Sequence, residues 1–411
     1  MRTLIRRVHR LREAEPTIDI LIEDGVITGV APEITTSADS EHDCRGGLAL
    51  PTFVNTHLHL DKCLTGELAP PAASPTLQDS VEKTWAMKRA YTVDDIVERA
   101  SEVVKSALTH GTTTLRAFAD VDPVGGTTPV EGLCALRDRW RDQVTIEVVA
   151  FPQEGIVRSP GTDALLVEAM DVGADVVGGM PWYEQSDRDA ATHVDFCLDL
   201  AQKRDVDVHM LVDDTDDPTS RSLEYLALEV IRRRYQGRVA ASHCGALAAY
   251  DHAHAERVMQ LVAAAAMTVV SNPHISLVFA GRSDRGRIRR GITRVRELKE
   301  MGVNVAAAQD DVNDPYYPFG RADQLEVAQY MCHVAQLISP DEIAYAIDMV
   351  TENSARAMRL PRYGLAAGNV GDVVVYRAPS AREALRLMEK PLYVFRRGHL
   401  LVENTVTSTY S

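Results

Sequence analysis

The chain has 411 residues, 45% hydrophobic and 25% charged, with a formal net charge of −15, which suits a globular protein with one large domain and a smaller one. The excess of carboxylates argues against nucleic acid as a main partner, because phosphate binding asks for a basic face. Six scattered cysteines without a CxxC, an N-terminus without a signal-peptide pattern, and no apolar run of the roughly 18 residues that span a bilayer predict a reduced, cytoplasmic protein with no membrane partner.

In chain order, "TIDILIEDGVITGVAPEI" reads as two β-rich runs joined by Asp24-Gly25, a strong hairpin signal. Short apolar strands then alternate with helical segments. The strands are "FVNTHLHL", "TTTLRAF", "VTIEVVAF", "ADVVGGMP", "DVDVHML", "RVAASHC", "MTVVSNP" and "VNVAAAQDD"; "VDDIVERASEVVKSALTHG" and "HVDFCLDLAQKRD" are among the helices. Eight such units predict an α/β fold, a (β/α)8 TIM barrel over residues 51–358. The alternative, an open doubly wound sheet, is weakened because no glycine-rich dinucleotide fingerprint or phosphate loop follows an early strand. "GRSDRGRIRRGITRVRELK" reads as a solvated loop entering an amphipathic helix. The C-terminal "NVGDVVVYRAP" and "PLYVFRRGHLLVEN" are again strand-like, with a short helix from Ala381 to Met388 between them. Residues 1–50 and 359–411 are therefore expected to join in one small β-sandwich.

The stretch "VNTHLHLDK" carries His57 and His59 two apart in a strand, so both imidazoles face one side. Burying them there without partners would be costly. The fifth strand ends with His209 and the sixth with His243, and the eighth runs into Asp310 and Asp311. In a barrel of parallel strands these donors gather at one face. They suit a divalent transition metal, zinc or iron(II), with one position open for water. Singly, each has a plainer reading: a lone strand-end histidine is often only hydrogen-bonded, and Asp310-Asp311 is compatible with a helix N-cap. Trp182 and Tyr183 follow the fourth strand, where they could stack on a planar ring or pack at the rim.

"HLHLDK", the histidines late in strands five and six and the aspartate after strand eight together resemble the amidohydrolase superfamily. "VVAFPQEGI", "GADVVGGMP", "RRGITRVRELKEMGVNV", "QDDVNDPYYPFG" and "YGLAAGNVGDVVV" resemble segments of its cytosine deaminase branch, in the same order. The resemblance implies that His57, His59, His209 and Asp310 hold one metal ion, zinc or iron, and that Asp310 also accepts a proton from water activated there. It implies that His243 stabilises the developing oxyanion, that Gln153 reads the pyrimidine amide edge, that Asp311 lies near the leaving amino group and that Tyr316 closes the pocket. One position departs from the pattern. Cytosine deaminases carry a glutamate three residues after the strand-five histidine, where this chain has Val212. The following "DDTDDPTSRSLE", displaced by two, offers Asp214 in its stead with Asp213 as neighbour. The expected activity is hydrolysis of a C–N bond in a cyclic amidine-like heterocycle such as a pyrimidine, triazine or pterin, that small molecule being the main partner. Ring opening of a cyclic amide and a non-catalytic, ligand-binding relative are the alternatives. Assembly into a homo-oligomer is left open.

Overall fold

The computed structural model describes residues 1–68, 77–282, 284–286 and 291–409. Four strands come first: β1 (Arg2–Arg10), β2 (Glu13–Glu23), β3 (Val26–Ala31) and β4 (Ser40–Pro51). Eight follow: β5 (Phe53–His59), β6 (Thr112–Asp120), β7 (Thr145–Phe151), β8 (Val176–Gly179), β9 (Asp207–Val212), β10 (Val239–His243), β11 (Thr268–Ser271) and β12 (Asn304–Ala307). Three close the chain: β13 (Val373–Tyr376), β14 (Tyr393–Arg396) and β15 (His399–Glu403).

The terminal strands form one continuous sheet in the order β15-β14-β13-β4-β1-β2-β3. Two of its hairpin turns, Asp24-Gly25 and Arg397-Gly398, have both residues at positive φ (48° and 84°, 49° and 78°), the twist that fits a two-residue connection. The expected sandwich is thus a single sheet that curls over its own core. Ile5, Ile20, Ile22, Val373 and Phe395 fill that core. Gly371 and Gly398 leave room for the Ile22 side chain, and Thr3 Oγ1 donates to Gly398 O at 2.7 Å.

β5 to β12 are parallel neighbours in chain order, with helices between them. Side chains alternate along each strand. Phe151, Val149 and Leu211 join a cluster inside the barrel, whereas Val148, Ala150, Val208, Met210 and Val212 belong to the layer shared with the helices. Ala240, Val270, Ala306 and Ala308 make a second, smaller interior cluster. Large residues thus fill one half of the barrel and small ones the other.

The seam between β12 and β5 closes through the residues expected at the site. Asp310 N donates to His57 O at 2.9 Å and His59 N donates to Asp310 O at 3.0 Å. Gln324 Nε2 ties the same seam from outside, donating to Val54 O and Ala307 O at 3.1 and 3.2 Å. The helix Val93–Thr109, whose cap residue Thr92 accepts from Asp95 N, fixes the turn after β5. Its Arg99 donates to Cys63 O at 2.7 Å and to Asp61 O at 3.1 Å.

"LVAAAAMTVV" is the end of the helix His252–Ala264 running into β11, and the short C-terminal helix spans Ala381–Leu387. Of the arginine-rich run at 281–299, Ser283 and residues 287–290 lie outside the described residues, and Val295–Glu300 is helical. All six cysteines are free thiols. No described helix is long and apolar enough to cross a membrane.

Candidate active site

His57 and His59 project from β5 as period-two alternation requires, and their Nε2 atoms lie 3.2 Å apart. Asp310 Oδ1 is 3.5 Å from each. Phe118 of β6 stacks on the His57 ring at 4.0 Å and fixes its plane. Ser242 Oγ lies 2.7 Å from His57 Nδ1 and 2.5 Å from His209 Nε2. His209 is therefore beside the cluster: its ring meets the His57 ring edge-on at 5.4 Å, but its Nε2 faces Ser242. His243 is closer in. It forms a tight group of potential ligands with His57 and Asp310, and His59, Asp310 and Asp311 form another. His243 and Asp310 both hold positive φ, 67° and 75°, a conformation that costs a non-glycine residue energy and is sustained only by surrounding contacts.

The four imidazoles divide into two kinds. Burial holds His57, His59 and His209 well below the ordinary histidine range, so they are neutral nitrogen donors. Burial also opposes charge on His243, but Asp214 and Asp310 outweigh it and raise its pKa. Asp214 Oδ1 is 3.2 Å from His243 Nδ1, and Asp310 Oδ2 is 3.3 Å from His243 Nε2. Asp310 itself is pushed up to about 7, chiefly by burial. Neutral nitrogens and a buried carboxylate facing one another at such distances fit a divalent cation, which would supply the missing positive charge.

A second buried cluster was not anticipated from sequence. Lys62 Nζ contacts Asp120 Oδ1 at 2.9 Å, and Lys88 Nζ contacts Asp120 Oδ2 at 2.8 Å and Asp122 Oδ2 at 2.6 Å. Asp61 Oδ2 accepts from Asp120 N at 2.9 Å. Burial opposes charge on Asp120, yet the two ammonium groups outweigh it and depress its pKa. The signal available beforehand was the "DK" that follows "HLHL". Lys88 had none, because it comes from the helix Leu77–Lys88, far along the chain.

The two clusters flank a cavity of about 510 Å³, within the range of roughly 300–1,000 Å³ common for small-molecule sites. His59, His243, Asp310 and Asp311 line it together with Gln153, Trp182, Tyr316 and Asp214. Met180, Leu211, Ile275 and Phe279 add an apolar wall that sequence reading missed. Lys62 Nζ reaches Gln153 Oε1 at 3.4 Å and sits 5.4 Å from the Tyr316 ring centre.

The loop after β9 separates its two aspartates. The Asp213 side chain is buried at the start of the helix Ser222–Arg232, accepting from Ser222 N at 3.1 Å, Leu223 N at 2.9 Å and Ser220 Oγ at 2.5 Å. It does not line the cavity, whereas Asp214 does. Val212 packs outward among the helices. Val212 therefore does not line the cavity.

The family model described as "Amidohydrolase family" matches residues 139–402. The chain belongs to the amidohydrolase family. This amidohydrolase superposes with a TM-score of 0.93 on 5-methylcytosine deaminase from Klebsiella pneumoniae liganded with phosphonocytosine, at 34% identity with all of both chains covered. It is 28% identical to N-isopropylammelide isopropyl amidohydrolase of a Pseudomonas species, covering 98% of each chain. It is also 28% identical to pterin deaminase of Rhizobium rhizogenes, over 93% of this chain and 87% of that one. The amidohydrolase is a hydrolase of C–N bonds other than peptide bonds.

Proposed function

We propose that this amidohydrolase displaces ammonia or a small alkylamine from a ring carbon of an oxo-substituted nitrogen heterocycle: a pyrimidine, a triazine or a pterin. The observation that carries the reading is the Asp214–His243–Asp310 chain, which lines one cavity together with Gln153 and Lys62. One divalent ion, zinc or iron(II), would be held by His57, His59 and Asp310, and by His209 once its Nε2 exchanges Ser242 for the ion, and would lower the pKa of water there toward ~7. Asp310 accepts the proton that the attacking water gives up. His243, whose pKa two flanking carboxylates raise against burial, stabilises the oxygen on which negative charge develops. Asp214 takes the part of the absent glutamate, carrying a proton to the ring nitrogen and on to the departing amine. Asp311 lies beside the leaving group.

The far end of the cavity favours a ring oxygen. Lys62 Nζ engages Gln153 Oε1, which turns the Gln153 amide so that Nε2 is its remaining donor. Lys62 and Gln153 therefore present donors to a ring carbonyl. Tyr316 and Trp182 bound the ring, and the Met180–Leu211–Phe279 wall accepts an apolar substituent. The three relatives act, by their names, on a methylated pyrimidine, an alkylated triazine and a pterin.

The test is turnover by zinc- or iron-loaded protein of 5-methylcytosine, N-isopropylammelide and pterin, with ammonia and isopropylamine as readouts. Amine release with the ring intact is expected. A new carboxylate in the product would show ring opening instead. Binding of all three without product would mark a non-catalytic relative.

A further inference from the structure

Two loops contribute residues to the cavity wall. Residues 152–158 follow β7 and carry Gln153; residues 180–184 follow β8 and carry Met180 and Trp182. The Glu184 side chain is fully buried between them. Its Oε1 accepts from Ile156 N at 2.6 Å, Val157 N at 3.1 Å and His193 Nδ1 at 2.8 Å, and its Oε2 accepts from Arg158 N at 2.8 Å. His193, on the helix Asp187–Arg204, takes Met180 N on its Nε2 at 3.0 Å. A backbone N–H only donates, so the ring proton sits on Nδ1 and points at Glu184. Burial keeps the imidazole neutral. Gly155 has φ of 83°, and a Cβ there would lie 2.9 Å from Glu184 Oε1, so this approach requires glycine. The circuit closes through side chains, because Gln153 Nε2 approaches Met180 Sδ at 3.5 Å.

We propose that the Glu184–His193 pair is a positioning device: it clamps the loop that carries Gln153 to the loop that carries Met180 and Trp182, and thereby sets substrate affinity without touching substrate. The proposal rests on the reading that Gln153 meets the ring edge. One carboxylate on the β8 loop takes four donors, three from the β7 loop and one from a helix, and charge makes each of these bonds stronger than a neutral one. A glutamine in its place brings an NH2 group against N–H donors and breaks at least one link.

The test is a double-mutant cycle in the zinc-loaded full chain with the best substrate of the panel above. Glu184→Gln is expected to raise KM about 10-fold with kcat within about 3-fold, and to change KM less than about 2-fold once Gln153→Ala is present. A tenfold rise that persists beside Gln153→Ala, or a loss confined to kcat, overturns the proposal. Hydrogen exchange supplies a readout that needs no substrate. In Glu184→Gln the amides of Ile156 to Arg158 and of Met180 should lose protection together; loosening of one loop alone also overturns it. If Glu184→Gln does not fold, His193→Asn, which removes only the Met180 link, carries the same KM expectation. Failure of the wild-type chain to turn over any substrate would sink the functional reading, and exchange alone would then decide on the clamp.

Discussion

The segment "HLHLDK" feeds two buried clusters in opposite electrostatic situations. On one side, His57 and His59 face Asp310, and among the described residues no lysine or arginine pairs with that carboxylate, His243 being its one partner with a raised pKa. On the other, Lys62 meets Asp120, and Lys88 arrives from another helix to share it. Both carboxylates are fully buried, yet burial pushes Asp310 up to about 7 while two ammonium groups hold Asp120 down. The difference teaches what each cluster is for. A carboxylate with built-in counter-charge is a structural brace, and one among neutral imidazoles is prepared for a cation from outside.

The largest expected effect is on the histidine side. Asp310→Asn should cut turnover by about 10³-fold or more, with the far-UV circular dichroism spectrum and melting temperature preserved. Retention of wild-type turnover would remove Asp310 from the mechanism.

The lysine side should respond in stability. Lys88→Met leaves Asp120 and Asp122 buried with half their counter-charge, a loss of about 3–5 kcal/mol, read as a lower urea midpoint. The pH dependence has a definite sign. A carboxyl depressed in the folded state stabilises above its unfolded pKa and loses that contribution as pH falls. The deficit of Lys88→Met should therefore be greatest near neutral pH and shrink below about pH 4. An equal deficit at both pH values would mean that Lys88 acts through packing alone.

Removing the metal sharpens the contrast. Chelation should abolish turnover and lower the melting temperature, with about 4 kcal/mol at stake if the ion is at 1,000 times its Kd. Zinc or iron(II) should restore both. The stability deficit of Lys88→Met should be the same with and without the chelator, because its cluster carries its own cations.

The finest distinction lies between neighbours. Asp214→Asn should lower kcat about 100-fold and leave stability nearly unchanged. Asp213→Asn should do the reverse, destabilising by about 1–3 kcal/mol as N–H groups of the Ser222 helix lose an acceptor, with kcat kept. If the two variants exchange phenotypes, the assignment of Asp214 to proton transfer fails.

Much of this was legible beforehand. Strand alternation alone made His57 and His59 neighbours on one face, and the count of β-then-α units predicted the barrel that brings His243 and Asp310 to the same end. Gln153 was flagged by the family resemblance and Trp182 by its place after the fourth strand, and both line the cavity. The small sheet was visible from the Asp24-Gly25 hairpin and the strand-like C-terminal runs, although its curl over Ile22 was not.

By itself, then, the sequence determined the strands, the faces of their side chains and the family, because these depend on periods of two and 3.6 residues and on motifs within single segments. Tertiary structure alone decided that Asp214 lines the cavity while Asp213 is spent on a helix start. It alone brought Lys88 to Asp120, and it alone joined Gln153 to Met180 through Glu184 and His193. Each of these depends on how a loop folds back or which distant helix packs against a strand end. Contacts of that kind are set by three-dimensional packing, and no local periodicity encodes them.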